Sequence, residues 1–133
     1  MLLYQSSLFI LDYDPATDIL SLDWPDVKDF LVPAASQEVS VLIDSIKHYD
    51  VKKLLIDTSK AKVDVASSEY QKFISEFAQD LKSTRLQKFA RVATTDPERE
   101  KMAEIARQTT NISETIEFRN FASKDEARAW LLS

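Results

Sequence analysis

Not one of the 133 residues of this chain is glycine, so every backbone position must be one that a residue with a Cβ can adopt. Turns that need a positive φ and loops that bring backbone against a phosphate lose their usual residue. The chain must therefore punctuate itself with proline, Ser and Asp at helix starts, and close its helix ends with Asn, Asp or ordinary residues. The same absence removes the glycine-rich fingerprints of dinucleotide and triphosphate sites. Cysteine is missing too, and His48 is the single histidine. Thiol catalysis, disulfides and Cys/His zinc clusters are excluded with them, and neither a cofactor nor a metal is expected.

A length of 133 residues is that of one ordinary domain, and 44% hydrophobic with 29% charged residues is the composition of a soluble globular one. Without disulfides, stability must come from packing, which suits a reducing cytoplasm. The formal net charge of -5 opposes a polyanionic partner, so nucleic acid is not expected. The start of the chain lacks the basic region and cleavage site of a signal peptide, and no apolar run is long enough to span a bilayer.

Apolar runs from Leu8 to Tyr13 and from Ile19 to Trp24 flank the turn chemistry of Asp14-Pro15-Ala16-Thr17-Asp18, which predicts an opening antiparallel hairpin ended by Pro25. After Pro33, the residues Ala35, Val39, Leu42, Ile43, Ile46 and Tyr49 fall at helical spacing. Lys53 to Asp57 reads as a central strand covered on both faces, entering a loop from Thr58 to Ala66. Tyr70, Phe73, Ile74, Phe77 and Leu81 predict a second helix, with Ser68 and Gln71 matching a capping box. Lys88 to Thr94 is the next strand, and Asp96-Pro97 the cap and first residue of a third helix running to about Thr109. The inward residues of that helix, Met102, Ala103, Ile105 and Ala106, are small or few. Ser113 to Phe118 alternates like an edge strand, and Ser123 with Glu126 caps a closing helix whose inward face is Ala127, Trp130 and Leu131. The order is β-β-α-β-α-β-α-β-α: an α/β domain with a mixed, mostly parallel sheet opened by an antiparallel hairpin.

Chemistry is sparse on this frame. Asp12, Asp14, Asp18 and Asp23 have a spacing like that of a calcium loop, but Thr17 and Ala16 stand where glycine and a ligand are needed, so they read as a solvated turn. His48 falls in the last turn of the first helix, where an imidazole caps carbonyls. Asp57, Ser59 and Asp96 lie at the carboxyl ends of adjacent parallel strands, where open α/β sheets gather ligands, with Ser67 and Ser68 on the same rim. Either they form a site or they only cap helices and shape turns. An enzyme would need Asp57 or Asp96 as its base. The stripe Tyr70, Phe73 and Phe77 reads as core or as the wall of an apolar pocket. Lys82, Arg85, Lys88, Arg91, Arg99, Lys101 and Arg107 interleave with acidic residues and read as a solvated face of mixed charge.

The element order, the segment Val51-Lys52-Lys53-Leu54-Leu55-Ile56-Asp57 and the ending in which Phe121, Glu126, Ala127, Trp130 and Leu131 form an F-x-x-x-x-E-A-x-x-W-L pattern together resemble the SpoIIAA-like family of the STAS superfamily. The resemblance spans nearly the whole chain and implies a cytoplasmic, non-enzymatic regulatory module that binds a protein partner or its own copy. Its relation in fold to CRAL-TRIO lipid-transfer domains implies the alternative of a carrier or sensor holding an apolar small molecule between sheet and helices. A third implication is a phosphorylation switch at Ser67 or Ser68, in the place of the D-S-S-G-like stretch of anti-sigma antagonists. Here Asp64 is not adjacent to the serines, and Glu69 stands where glycine follows them.

Overall fold

The computed structural model describes residues 1–28 and 32–133. Four strands open the chain, β1 (Leu2–Gln5), β2 (Ile10–Asp14), β3 (Ile19–Asp23) and the short β4 (Val27–Lys28). There follow α1 (Val32–His48), β5 (Lys53–Asp57), β6 (Val63–Asp64), α2 (Ser67–Leu81), β7 (Lys88–Val92), α3 (Pro97–Thr110), a 3-10 turn at Ile112–Glu114, β8 (Glu117–Phe121) and α4 (Lys124–Leu132). The main sheet has six strands in the order β1-β2-β3-β5-β7-β8, while β4 and β6 form a separate parallel pair. β1, β2 and β3 are antiparallel to one another, and β3, β5, β7 and β8 run parallel. This is the mixed α/β architecture that the periodicity predicts.

Because neighbours in the parallel half are also neighbours in sequence, right-handed crossovers set α1, α2 and α3 on one face of the sheet. Strand parity then decides which side chains meet them. Leu11, Tyr13, Leu20, Leu22, Leu54, Ile56 and Phe89 point into a core shared with Leu42, Ile46, Phe73, Phe77 and Met102 of those helices. On the other face Ile19, Leu55, Ala90 and Val92 cluster with Ala127 and Leu131 of α4, and Phe121 and Trp130 pack against them. The pairing of Ala90 with Ala127, both fully buried, lets helix and sheet approach closely. α4 touches β2 through Arg128, 3.7 Å from the Asp14 carboxylate, but leaves Leu2 and Ile10 57% and 54% exposed.

Among the described residues, non-glycine side chains stand in for the missing glycines at three positions. Asp18, Asp50 and Asn111 take φ of 58°, 52° and 55°, the left-handed region that short polar side chains tolerate best. Asp50 ends α1: its N–H bonds to the Lys47 carbonyl at 3.3 Å and that of Val51 to the Ile46 carbonyl at 3.0 Å, a Schellman closure without glycine. His48 is exposed, makes no hydrogen bond to a described residue and sets its ring edge-on to Tyr49, so the backbone and not the imidazole closes this helix. Asn111 closes α3. α2 ends differently, with the Ser83 and Thr84 hydroxyls donating to the carbonyls of Asp80 and Leu81 at 2.6 and 2.7 Å.

Several sequence expectations are corrected. β1 joins the hairpin as a third antiparallel strand, and the loop after β5 carries β6. α2 starts at Ser67 after Ala66, with no side-chain cap, so Ser68 lies inside the first turn. With the N-cap at Ala66 and not Ser68, Gln71 is out of place for a capping box, and its amide instead donates to the Met102 carbonyl on α3 at 3.0 Å. The last strand begins at Glu117 and not at Ser113, since the chain leaving Asn111 tightens into a 3-10 turn, the N–H groups of Thr115 and Ile116 bonding back to the Ile112 carbonyl. It keeps the expected edge position beside β7.

Candidate functional site

Between α2, α3 and the sheet lies a partly open cavity of about 70 Å³. Its origin is the sequence of α3. Between Arg99 and Arg107, that helix sets the small Ala103 and Ala106 opposite the aromatic rings of the other walls, Phe77, Phe89 and Phe118. Those rings are locked by edge-on contacts, Phe89 meeting Phe118 at 4.9 Å and Phe77 at 6.5 Å between centroids, and so do not collapse into the space the alanines leave. Tyr70 and Trp24 close one end, joined by a buried hydrogen bond of 3.1 Å from the indole N–H to the Tyr70 hydroxyl.

Three arginines also border this apolar space, namely Arg91, Arg99 and Arg107. Two have carboxylate partners. Arg91, on β7, grips Glu100 of α3 through both Nη atoms at 2.7 and 2.8 Å and donates to the Asn120 side chain at 3.0 Å. Burial pushes the Glu100 carboxyl up, but the Arg91 hydrogen bonds and charge, with the Thr94 N–H and hydroxyl, hold it down at about 2. Arg107 is paired with Glu104, one turn earlier on α3. Arg99 has no carboxylate within 4 Å among the described residues. Only 8% exposed, it donates through Nη1 to the Ala61 carbonyl at 2.7 Å, and its buried Nε has no partner among the described residues.

Arg91 and Arg99 therefore leave the solvated mixed-charge face on which the charge pattern sets them. The signal was present as periodicity. In Phe89-Ala90-Arg91 the arginine shares parity with the buried Phe89, and Arg99 stands three, four and seven residues before Met102, Ala103 and Ala106.

Tyr70 and Phe77 line the cavity, whereas Phe73 does not: it packs on Trp24 at 6.0 Å and on Tyr70 at 6.2 Å, within the core. Asp57 is buried at the end of β5, and its Oδ1 accepts from the Ser59 N–H and hydroxyl at 2.9 and 2.6 Å. Its Oδ2 lies 3.7 Å from Lys124 of α4, which also pairs with Asp23 at 3.0 Å. Asp96 caps α3 by accepting from the Glu98 N–H at 3.0 Å. Ser67 and Ser68 are exposed on the first turn of α2. Among the described residues no hydrogen bond links Asp57 and Ser59 to Asp96, Ser67 or Ser68, so the rim is not drawn together as one cluster. On the open sheet face a shallow hollow of about 530 Å³ is bordered by Leu8, Ile10, Asp12, Lys124 and Arg128. Among the described residues no group of three or more acidic or His side chains is arranged to hold a metal, and no helix is long and apolar enough to cross a membrane. No protein-family model, curated protein or solved structure matches the chain.

Proposed function

We propose that this chain is a non-enzymatic carrier or sensor that holds a small apolar ligand between the sheet and helices α2 and α3. The observation that carries the reading is the cavity itself, walled by Tyr70, Phe77, Phe89, Phe118 and the alanines of α3. Apolar enclosure with a few fixed polar groups is the usual make-up of a small-molecule site. The polar groups among the described residues that line it include the Thr58 and Tyr70 hydroxyls and three guanidiniums, few against the apolar walls. Of what the SpoIIAA-like resemblance implies, the relation in fold to CRAL-TRIO carriers supports this reading. A volume near half that of an engineered core cavity able to take benzene, about 150 Å³, suits a ligand body of a few carbons. Titrating the protein with pentan-1-ol while following the Trp24 indole N–H resonance tests this. Saturable movement that is lost in Ala106→Leu is expected, and no saturable movement in the native chain would overturn it.

A second reading, a module that binds a protein partner or its own copy, draws on the uncovered face of β1 and β2 with Leu2 and Ile10 over half exposed. Sedimentation of the native chain and of Ile10→Lys tests it. Association that the lysine abolishes is expected, and a monomer at all concentrations that also captures no partner rules it out.

A further inference from the structure

Resting on the apolar-ligand reading, we infer that the ligand carries a single carboxylate, held by the Arg99 guanidinium. A guanidinium offers five donors in a fixed fork, and the edge formed by Nε and one Nη matches the two oxygens of a carboxylate. In Arg99 one nitrogen, Nη1, is spent on the Ala61 carbonyl, the buried Nε has no partner among the described residues, and Nη2 makes no hydrogen bond to a described residue. A buried cation normally has a paired anion and filled donors. Here the residue is 92% buried, borders the cavity, and has neither among the described residues.

The charge count selects a monoanion. Of the three arginines at the cavity, Arg91 and Arg107 are already neutralised by Glu100 and Glu104, which leaves one positive charge. A carboxylate cancels it, whereas a phosphate dianion would bury a surplus negative charge beside Phe89 and Ala106. The length of the body follows from the volume: about 70 Å³ holds a short aliphatic chain, with any longer remainder leaving through the open side. The ligand class is thus a short-chain aliphatic monocarboxylate, its head on Arg99 and its tail among Phe77, Phe89 and Phe118.

Calorimetric titration of the native chain with pentanoate and, separately, with pentan-1-ol tests this without any variant. Pentanoate is expected to bind at least tenfold more tightly than the alcohol. In Arg99→Met, which keeps a long apolar side chain, that preference is expected to vanish. Arg99→Lys retains the charge but not the fork and is expected to lose most of the preference. If the alcohol binds as well as pentanoate, or Arg99→Met leaves the preference intact, the assignment of the head group fails and the apolar-ligand reading stands. If neither compound binds, both fail together.

Discussion

Arg91 and Glu100 join β7 to α3 through a two-pronged ion pair, with N–O distances of 2.7 and 2.8 Å at side-chain exposures of 9% and 30%. The pair sets the height of α3 above the sheet, and with it the roof of the cavity. Glu100 also accepts from the N–H and hydroxyl of Thr94, so the same carboxylate fixes the turn that leads into the helix. Glu100→Gln breaks the charge pairing and leaves a buried guanidinium only half satisfied. A loss of about 2 kcal/mol is expected in urea unfolding, below the range for fully buried pairs because the carboxylate retains some solvent.

That pair also gives stability a pH dependence of definite sign. The Glu100 carboxyl sits at about 2 in the folded chain against an ordinary value of 4.5. A depressed folded value means stability that is fully present above the unfolded value and drains away as pH falls toward the folded one. Native protein is therefore expected to lose stability from about pH 4.5 down to about pH 2. In Glu100→Gln this part of the slope should be missing, as thermal melts across that range will show.

The Trp24 indole N–H, buried at the end of the cavity, has the Tyr70 hydroxyl as its acceptor at 3.1 Å. Tyr70→Phe removes the oxygen and leaves the donor orphaned with little change in shape. A cost of about 1–3 kcal/mol is expected, that of a buried unsatisfied polar group. A smaller loss in chemical denaturation would mean that water reaches the indole from the open side.

How far the chain could be read in advance follows from which physical signal each element carries. β5, the Asp96-Pro97 start of α3 and the Ser123 cap of α4 were legible because period and cap chemistry are local, and Ser123 does accept the Glu126 N–H at 3.3 Å. β4 and β6 are two residues each, too short for any period, and owe their existence to pairing with each other. Ser68 and Gln71 satisfy a local rule, but α2 starts at Ser67, ahead of Ser68, and Gln71 is drawn to α3. The cavity was half legible. The small residues of α3 and the aromatic stripe of α2 stand in the sequence, but charge pattern set Arg91 and Arg99 in solvent, when their spacing from Phe89 and Met102 turns them inward.

Asn111 closes α3 at a φ of 55°, and its side chain makes no hydrogen bond to a described residue. Relief of the left-handed backbone is then the main effect of substitution. Asn111→Gly is expected to stabilise by about 0.5 kcal/mol and Asn111→Ala to destabilise by about 1 kcal/mol. Asp18 shares the backbone but not the outcome. Its carboxylate accepts from the Tyr13 hydroxyl at 2.7 Å and the Lys52 N–H at 3.2 Å, so Asp18→Gly should destabilise although it relieves the same strain. The hydrogen bond from Tyr13, with burial and the Asp18 charge, raises that phenol to about 12. Asp18→Gly should accordingly return the Tyr13 titration, read by ultraviolet absorbance, toward its ordinary value.

The cavity has a cost that substitution can recover. At about 24 cal/mol per Å³ of void, a space of about 70 Å³ costs on the order of 1.7 kcal/mol. Ala106 is buried on its wall, and leucine at that position adds three carbons with little loss of helix propensity. Ala106→Leu is expected to gain about 1 kcal/mol, part of the recoverable sum being spent on imperfect fit, and to raise the melting temperature by about 3–5 °C. A space kept open for packing reasons alone would leave the matter there. A binding cavity predicts a crossover: saturating pentanoate should raise the melting temperature of the native chain and leave that of Ala106→Leu unmoved, because only the native chain retains room for the ligand. Equal shifts in both proteins would place the bound molecule elsewhere on the fold.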